Sequence, residues 1–423
     1  MEVSILFLML FLFMLIGVPI GWAIGAASVA TMIIYPDIPM VLVTQNCFTG
    51  LNSFPLMAIP FFVLSGALMT SGGIAKRLLN CANAIFGSLT GGLSLVSVVT
   101  CMFFGAVSGS GVATTSAIGG FMIPEMKEHG YDDGFSASLV AAAGTIGVII
   151  PPSVPFVVYA VATGCSVSQM FLAGIIPGIL MGLSLMIAAY LLCKKHNYGD
   201  KTKFMGWRNL SSTIWEAKWA LLAPVIILGG IYGGVFTPTE ASAVAVVYSY
   251  IVGRFIYHEL DTKAVIQTVR TAAVISAVTT FMLIFSTTFA TFITMKQIPQ
   301  VLSSALINIT DSKFLLLIII NAFLLVVGCF IDIAPATLIL APILLPVAES
   351  LGVNAIHFGI VMCVNLAIGF VTPPYGINLF TASAISGVSM GKLCKNIIPF
   401  LGALLLVLIL VTYIPALSMF LVS

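Results

Sequence analysis

The sequence contains little charge. Of its 423 residues only 7% are Asp, Glu, Lys or Arg, whereas 60% are hydrophobic. A soluble globular domain carries about 25% charged residues. The composition therefore excludes such a domain and predicts an integral membrane protein that crosses the lipid bilayer many times.

Catalytic and nucleotide-binding motifs are also missing. No Walker loop GxxxxGK[ST] occurs, and "SGSGVATTS" (108–116) has no basic partner for phosphate binding or for a serine nucleophile. The four histidines never stand at metal-ligand spacing, so we expect interfacial side chains. The eight cysteines lack CxxC spacing and are predicted to be free. These absences argue against an enzyme and an organic cofactor, and a net charge of +2 argues against a nucleic-acid partner.

Long apolar runs dominate what is present. We predict ten crossings, near 3–20, 21–36, 55–73, 134–164, 168–193, 219–235, 239–257, 271–294, 356–387 and 395–420. Two further apolar stretches, about 91–126 and 313–350, have polar or glycine-rich centres, and we predict re-entrant hairpins there. Sparse segments suit helices along the membrane interface, at 75–84, 262–271 and 297–309.

The positions of Lys and Arg orient this topology. If the N-terminus lies outside, all basic residues except Lys296 and Lys313 fall in the cytoplasm, as the positive-inside bias requires. The first apolar segment follows Glu2 without a basic region or a cleavage site, so we expect a retained span. Both termini are then predicted to lie outside.

Two proline pairs interrupt predicted spans, in "IGVIIPPSVPF" (146–156) and "IGFVTPPYGIN" (368–378). Pro151 and Pro373 are 222 residues apart, and the same ungapped shift places Thr115 on Thr337. We predict that 1–210 and 211–423 are repeats, each with five crossings and one hairpin. An odd number of crossings inverts one half relative to the other, as in secondary transporters. A chance coincidence of prolines and glycines in biased sequence is the alternative.

Helix breaks inside a membrane need partners for the freed backbone groups, and a bound ion can supply them. Neutral hard oxygens suit Na⁺ rather than a transition metal. We predict one Na⁺ site from Ser108, Gly109, Ser110, Gly147, Ile150 and Pro151, and a second from Thr337, Gly369, Thr372 and Pro373. The alternative is that the prolines merely kink two spans.

Two acidic residues stand out in apolar surroundings. Asp332 lies alone between 314 and 348, where an acid is costly, so it is predicted to contact ion or substrate in a hydrated pocket. It could equally cap the second hairpin helix, and both interpretations stay open. Glu240 in "FTPTEASA" is predicted to close a capping box at a helix start.

Four motifs carry a family resemblance: "GAVSGSGVATTSAIGGFMIPEM", "AGTIGVIIPPSVPFVVYA", "GGIYGGVFTPTEASAVAVVY" and "PILLPVAESLGVNAIHFGIVMCVNLAIGFVTPPYGINLF". Together they resemble the large membrane subunit of tripartite ATP-independent periplasmic (TRAP) transporters, over essentially the whole chain. The resemblance implies an all-α, elevator-type importer with scaffold and transport domains, driven by Na⁺ across the bacterial inner membrane. Its substrates would be organic acid anions such as C4-dicarboxylates, sialic acids or sugar acids.

The resemblance also implies partners and site residues. A small four-span membrane subunit, here expected as a separate chain, and an extracytoplasmic solute-binding protein would complete the transporter. By position, Gly328 would join the second Na⁺ site, while Ser110, Ser153, Asp332, Tyr375 and Asn378 would contact substrate. A stand-alone carboxylate symporter or antiporter of similar architecture, or a passive channel, remains the alternative.

Overall fold

The chain is all-helical. A computed structural model describes residues 2–36, 38–50, 52–199, 207–298 and 312–422, and these contain no β-strand. The helices are α1 (Glu2–Leu15), α2 (Ile20–Ile34), α3 (Val41–Thr49), α4 (Ala58–Ser71), α5 (Ile74–Phe86), α6 (Gly92–Ser108), α7 (Gly111–Glu128), α8 (Asp133–Gly144), α9 (Val154–Thr163), α10 (Val167–His196), α11 (Trp207–Tyr232), α12 (Pro238–Ile251), α13 (Thr262–Met295), α14 (Lys313–Phe330), α15 (Ile333–Ser350), α16 (Ala355–Gly369), α17 (Ile377–Ser386), α18 (Met390–Asn396), α19 (Ile398–Tyr413) and α20 (Ala416–Met419). Short 3₁₀ turns (Phe54–Met57, Thr145–Val148) and a π-helical turn (Val252–Ile256) extend α4, α8 and α12.

Helix length gives fewer spans than predicted. In the described part of the chain six helices are long and apolar enough to cross a membrane, and α18 with α19, bent by 51°, makes a seventh. The remaining predicted crossings fall on shorter helices. For example, α1 has 14 residues, or about 21 Å, because the chain turns at Gly17 and α2 begins after Pro19.

Both predicted hairpins are present as helix pairs. The first consists of α6 and α7, joined by Gly109 and Ser110, and the second of α14 and α15, joined by Ile331 and Asp332. Each junction is two residues long, so the paired helices turn back directly at the polar centres of the sequence. Their re-entrant placement in a membrane stays a prediction.

Both predicted broken helices are present as well. The first comprises α8 and its 3₁₀ extension, a non-helical stretch from 149 to 153, and α9. The second comprises α16, the stretch from 370 to 376, and α17. In each break the peptide bond between the two prolines is cis. Almost every residue of α8 and α16 is buried, so the core of the molecule surrounds these two helices.

Capping side chains recur at the 222-residue spacing. Ser110 and Asp332 cap α7 and α15, while Asp132 and Asn354 cap α8 and α16. In every case a side-chain oxygen accepts a hydrogen bond from a backbone N–H of the first helical turn, which satisfies a donor that has no intrahelical partner.

The packing of helices across the two halves is reciprocal. Helix α7 of the first hairpin packs against α17 of the second broken helix, and α15 of the second hairpin packs against α9 of the first. Likewise, α18 packs against α8, and α10 packs against α16. The halves are therefore interleaved, with each hairpin placed on the broken helix of the other half as well as its own.

The interface segments differ from prediction in one case. The segment 262–271 is not a separate helix, because it is continuous with α13, whose 34 residues extend about 51 Å. Segment 75–84 does form a separate amphipathic helix, α5, which buries Leu78 and leaves Lys76 exposed. Most of segment 297–309 lies outside the described residues.

Local predictions can be checked in the same way. All eight cysteines are free, and Thr237 and Glu240 form the predicted capping box at the start of α12. The prediction that every histidine is interfacial is wrong for His357, which is buried. Its ring contacts Ser418 Oγ at 2.7 Å and the Thr412 carbonyl at 3.3 Å. Burial is possible because α19 and α20 supply both partners.

Candidate functional site

The first hairpin tip rests on the first helix break. Gly109 has φ of +60°, a left-handed conformation that glycine adopts readily, and this turns the chain from α6 into α7. A Cβ on Gly109 would lie 2.9 Å from the Pro152 carbonyl oxygen and 3.4 Å from the Val154 nitrogen. The N-termini of α7 and α9 therefore meet at this tip, and both carry partial positive charge.

Oxygen atoms cluster between this tip and the break. The Thr114 hydroxyl donates a hydrogen bond to the Ser110 carbonyl at 2.7 Å and lies 3.0 Å from Ser108 Oγ. A Cβ on Gly147 would meet the Thr114 hydroxyl and lie 3.0 Å from the Ser110 carbonyl. On the opposite side, a Cβ on Gly105 would lie 2.7 Å from Gly147 Cα. Gly147 is thus enclosed by the hairpin, and a side chain there would have to displace that of Thr114.

Four of the six residues predicted for the first Na⁺ site come together in this way: Ser108, Gly109, Ser110 and Gly147. Pro151 is buried in the break beside them. The Ile150 side chain instead packs toward α10, where its Cγ1 would lie 2.5 Å from a Cβ on Gly178. The backbone N–H of Ile150 donates to the Ile146 carbonyl at 3.0 Å.

The second hairpin meets the second break through another pair of glycines. A Cβ on Gly369 would lie 2.7 Å from the Gly328 carbonyl oxygen, and one on Gly328 would lie 3.3 Å from Gly369 Cα. Further along, Cys329 Sγ donates to the Thr372 carbonyl at 3.0 Å, and the Cys329 carbonyl accepts from the Gly376 N–H at 3.3 Å. The Thr372 hydroxyl donates a hydrogen bond to the Ile368 carbonyl at 2.9 Å.

The two tips differ in exposure. Ser108 and Gly109 at the first tip are buried, whereas Asp332 at the second tip is exposed. Pro373 in the second break is half-buried. The Asp332 carboxylate accepts a hydrogen bond from the Ile333 N–H at 2.6 Å. Capping and contact with a hydrated space are therefore compatible for this residue. Beside it, Tyr375 is 52% exposed and its ring lies 5.0 Å from the ring of Phe330.

Three other predicted residues are fully buried. The Ser153 hydroxyl donates to the Val148 carbonyl at 2.5 Å and accepts from the Phe156 N–H at 3.4 Å. Thr337 Oγ1 has no hydrogen-bond partner among the described residues. Asn378 donates to the Ala141 carbonyl at 3.2 Å and lies against Gly144 and the first hairpin, so it belongs to the first tip rather than the second.

Sequence reasoning missed several contacts. Thr114 and Thr115 lie in the tip motif, but the sequence pattern assigns neither of them to an ion or substrate site. Thr115 Oγ1 touches the position of a Cβ on Gly144, and it has no hydrogen-bond partner in the part of the chain that the structure describes. Gly105 is another omission. The signal for it was a glycine one turn before the tip, which permits close approach of the hairpin to the break.

The chemistry of these atoms suits a hard monovalent cation. Within the described ranges no group of three or more His, Cys, Asp or Glu residues could hold a metal ion. The groups between tips and breaks are carbonyl and hydroxyl oxygens, apart from the amide of Asn378, the carboxylate of Asp332 and the thiol of Cys329. No Lys or Arg occurs in the tip and break segments 105–115, 144–156, 328–337 and 366–380. Neutral oxygens of this kind fit Na⁺.

Comparison with known proteins identifies relatives along almost the whole chain. Residues 7–417 match the family described as "Tripartite ATP-independent periplasmic transporter, DctM component". The isethionate TRAP transporter permease protein DctMQ of Oleidesulfovibrio alaskensis is 46% identical over 97% of this chain, which spans 64% of that protein. The C4-dicarboxylate TRAP transporter large permease protein DctM of Vibrio cholerae is 39% identical, with 99% and 97% of the two chains covered.

A third relative and a solved structure extend the comparison. The sialic acid TRAP transporter large permease protein SiaM of Vibrio cholerae is 36% identical over 96% of this chain and 95% of its own. The crystal structure of the YdaH transporter from Alcanivorax borkumensis shares the fold, with a TM-score of 0.57 over 87% of this chain and 88% of that one, at 17% identity. The relatives are permeases, which confirms the expectation of a multi-span transporter subunit rather than an enzyme. The chain belongs to the DctM component family of tripartite ATP-independent periplasmic transporters.

Proposed function

We propose that this chain is the Na⁺-coupled membrane subunit through which a small organic acid anion enters the cell. The observation that carries the proposal is the repeated contact between a hairpin tip and a helix break, made once in each half through paired glycines. Each contact brings backbone oxygens together without a fixed positive charge. Such a pair of sites suits two coupling ions and a cargo held between or beside them.

Sodium fits the tips better than a proton does. Asp332 is the only acidic residue in the tip and break segments, and a proton relay uses several ionisable groups. Carbonyl and hydroxyl oxygens, by contrast, are the ligands of hard cations. We therefore propose Na⁺ as the coupling ion, bound near Ser110 and Gly147 in the first half and near Gly328 and Gly369 in the second.

The cargo is proposed to be a carboxylate or sulfonate. The N-termini of α7 and α9 direct partial positive charge toward the first tip. Since no Lys or Arg lies in these segments, bound Na⁺ must supply much of the remaining attraction. The printed names of the relatives refer to isethionate, C4-dicarboxylates and sialic acid, which are all organic acids.

The architecture is proposed to be an inverted repeat that works as an elevator in the inner membrane, with both termini outside. The 222-residue recurrence of caps, hairpins and breaks supports the repeat, as does the reciprocal packing of α7 on α17 and α15 on α9. A compact unit of hairpins and broken helices would then move against a scaffold. A separate small subunit and a solute-binding protein are proposed to complete the transporter.

Ion coupling can be tested on the purified chain alone. An ion that binds only the folded state stabilises it by about 2.7 kcal/mol at one hundred times its Kd. We expect Na⁺, but not K⁺ or choline at equal ionic strength, to raise the melting temperature. Equal melting temperatures in all three salts would refute Na⁺ coupling.

Transport is tested in proteoliposomes that contain the chain and its small subunit. Uptake of labelled organic acids is measured with and without the binding protein, under an inward Na⁺ gradient or a pH gradient in K⁺. We expect uptake only with Na⁺ and the binding protein. Uptake without the binding protein would favour a stand-alone symporter, and current without saturation would favour a channel.

A further inference from the structure

A chain of buried and partly buried polar side chains joins three helices in the second half. Asn365 of α16 donates from Nδ2 to Asn321 Oδ1 at 2.7 Å and to the Asn321 carbonyl at 3.0 Å. Asn321 of α14 donates in turn to Thr412 Oγ1 at 3.1 Å. The Thr412 carbonyl of α19 then contacts the His357 ring at 3.3 Å. The amide pair thus clamps the first arm of the second hairpin to the second broken helix.

This amide pair lies on the same helix interface as the second glycine contact. Asn365 precedes Gly369 by four residues on α16, and Asn321 precedes Gly328 by seven on α14. Spacings of about one and two turns place Asn365 and Gly369 on one face of α16, and Asn321 and Gly328 on one face of α14. The amide hydrogen bonds therefore lie in the same interface between α14 and α16 as the contact between Gly328 and Gly369, toward the N-terminal ends of both helices.

The first half has no amide at the two matching positions. The 222-residue shift places Asn365 on Ala143 of α8 and Asn321 on Val99 of α6, and both of these are buried. Helices α6 and α8 nevertheless pack closely. Packing of a hairpin on a broken helix therefore does not require the amides.

The amide pair also carries a cost. Asn365 is fully buried, and its Oδ1 has no hydrogen-bond partner among the described residues. A buried polar atom left unpaired is destabilising. A costly amide at a position where alanine suffices in the other half points to a role other than helix packing.

We propose that Asn321 and Asn365 are positioning residues for the second Na⁺ site, which they hold in register by fixing Gly328 against Gly369. The proposal rests on the proposed Na⁺ coupling. It makes the two ion sites unequal, since an amide pair joins α14 to α16 in the second half and the matching positions of the first half hold Val99 and Ala143. Asn321 and Asn365 touch neither ion nor cargo, and they act through the glycine contact.

The test replaces each amide by the residue that the first half uses: Asn321→Val, Asn365→Ala and the double variant. The readout is the Na⁺ concentration at which the melting temperature starts to rise, which reports the Kd because the stabilisation by a bound ion grows as RT ln(1 + [Na⁺]/Kd) and does not saturate. Interhelical hydrogen bonds in membranes contribute about 0.6 and at most about 1.7 kcal/mol, so we expect this concentration to rise about 3- to 20-fold. Maximal uptake at saturating Na⁺ should be unchanged.

The double variant and a control separate positioning from general damage. Because both amides act through one bond pair, the double variant should match the single variants rather than multiply their effects. Asn396→Ala is the matched control, since its amide donates to the Lys392 carbonyl within α18 and makes no hydrogen bond to another helix among the described residues. It should leave the Na⁺ titration unchanged.

Each result decides one question. A wild-type chain that gains no stability from Na⁺ would refute the proposed function. If the wild-type chain responds to Na⁺ and both Asn321→Val and Asn365→Ala respond at the same Na⁺ concentration, the positioning role is overturned but the proposed function is not. A fall in maximal uptake with an unchanged Na⁺ titration would also overturn it. If Asn365→Ala does not fold, the Na⁺ titration of Asn321→Val tests the proposal. The Asn321 side chain is only partly buried, so its replacement should disturb folding less.

Discussion

A single methyl group at Gly369 should disable the second ion site. In Gly369→Ala the new Cβ would lie 2.5 Å from Gly328 Cα and 2.7 Å from the Gly328 carbonyl oxygen. Both are backbone atoms, so no rotamer change relieves the overlap. Ordinary contact begins at 3.4 Å, which is 0.9 Å beyond the distance to Gly328 Cα, and the Gly328 carbonyl carbon lies nearer still, so α14 and α16 must separate by more than this.

The size of the effect follows from this separation. Overpacking of a well-packed interior costs about 1–3 kcal/mol. If the helices relax apart when the site is empty, this cost falls on the closed arrangement that binds the ion. We therefore expect the Na⁺ affinity of the second site to fall about 5- to 150-fold. The first site, whose contacts lie in the other half, should keep its affinity.

The assay is a Na⁺ titration of melting temperature and of uptake, with K⁺ keeping the ionic strength constant. We expect a smaller rise in melting temperature and a shallower Na⁺ dependence of uptake, since one of two sites is lost. Gly120→Ala is the matched control. It lies within a helix of the first hairpin and a Cβ there meets nothing within 4 Å, so it should bind Na⁺ normally.

Comparison with Gly147→Ala sharpens the test. A Cβ on Gly147 would meet mainly the Thr114 side chain, which can rotate, and would lie 3.0 Å from the Ser110 carbonyl. We expect a weaker loss of Na⁺ affinity than in Gly369→Ala. A Gly369→Ala protein that folds and shows the wild-type Na⁺ titration would refute the assignment of an ion site to this contact.

Three further predictions concern other parts of the molecule. Asp332→Asn keeps a capping oxygen but removes the charge, so uptake should fall strongly with little change in melting temperature; full uptake by this variant would leave Asp332 only its capping role. Gly109→Val introduces a β-branched residue at φ of +60° and a Cβ 2.9 Å from the Pro152 carbonyl, so the first Na⁺ site should be lost together with some stability. A wild-type Na⁺ titration in this variant would contradict the prediction. Burial raises the pKa of the Asp132 carboxyl, but hydrogen bonds from Lys392 and from a backbone N–H lower it below its usual range of about 3.9. A carboxyl with a lowered folded-state pKa stabilises the fold above that range and loses this contribution as the pH falls through the folded value. The melting temperature of Asp132→Asn should accordingly depend less on pH below about 4 than that of the wild type, and parallel pH profiles would refute the argument.

Much of the secondary structure could be predicted because it depends on local chemistry. Proline pairs end helices, so the breaks after Val148 and Gly369 can be predicted from the sequence. Glycine and polar residues between apolar runs marked both hairpin tips. The capping box at Thr237 and Glu240 was likewise a local pattern.

Helix continuity and individual contacts were harder to predict. The segment 262–271 looked interfacial because it is more polar, yet nothing in it stops a helix, and α13 continues through it. The sequence predicts an interfacial side chain for His357 because its partners, Ser418 and Thr412, stand more than fifty positions later in the chain. Hydrogen bonds of that kind depend on how α16, α19 and α20 pack, which no local pattern encodes.

The sequence alone determined the membrane class, the two hairpins, the two breaks and their spacing of 222 residues, because these depend on composition and on residues that end or turn helices. Only the tertiary structure decided which atoms meet. It placed Asn378 beside the first tip, directed the Ile150 side chain toward α10, and paired Asn321 with Asn365 in one half alone. The physical reason is that a repeat fixes the order of helices, whereas close contact depends on the side chains that two packed helices present to each other.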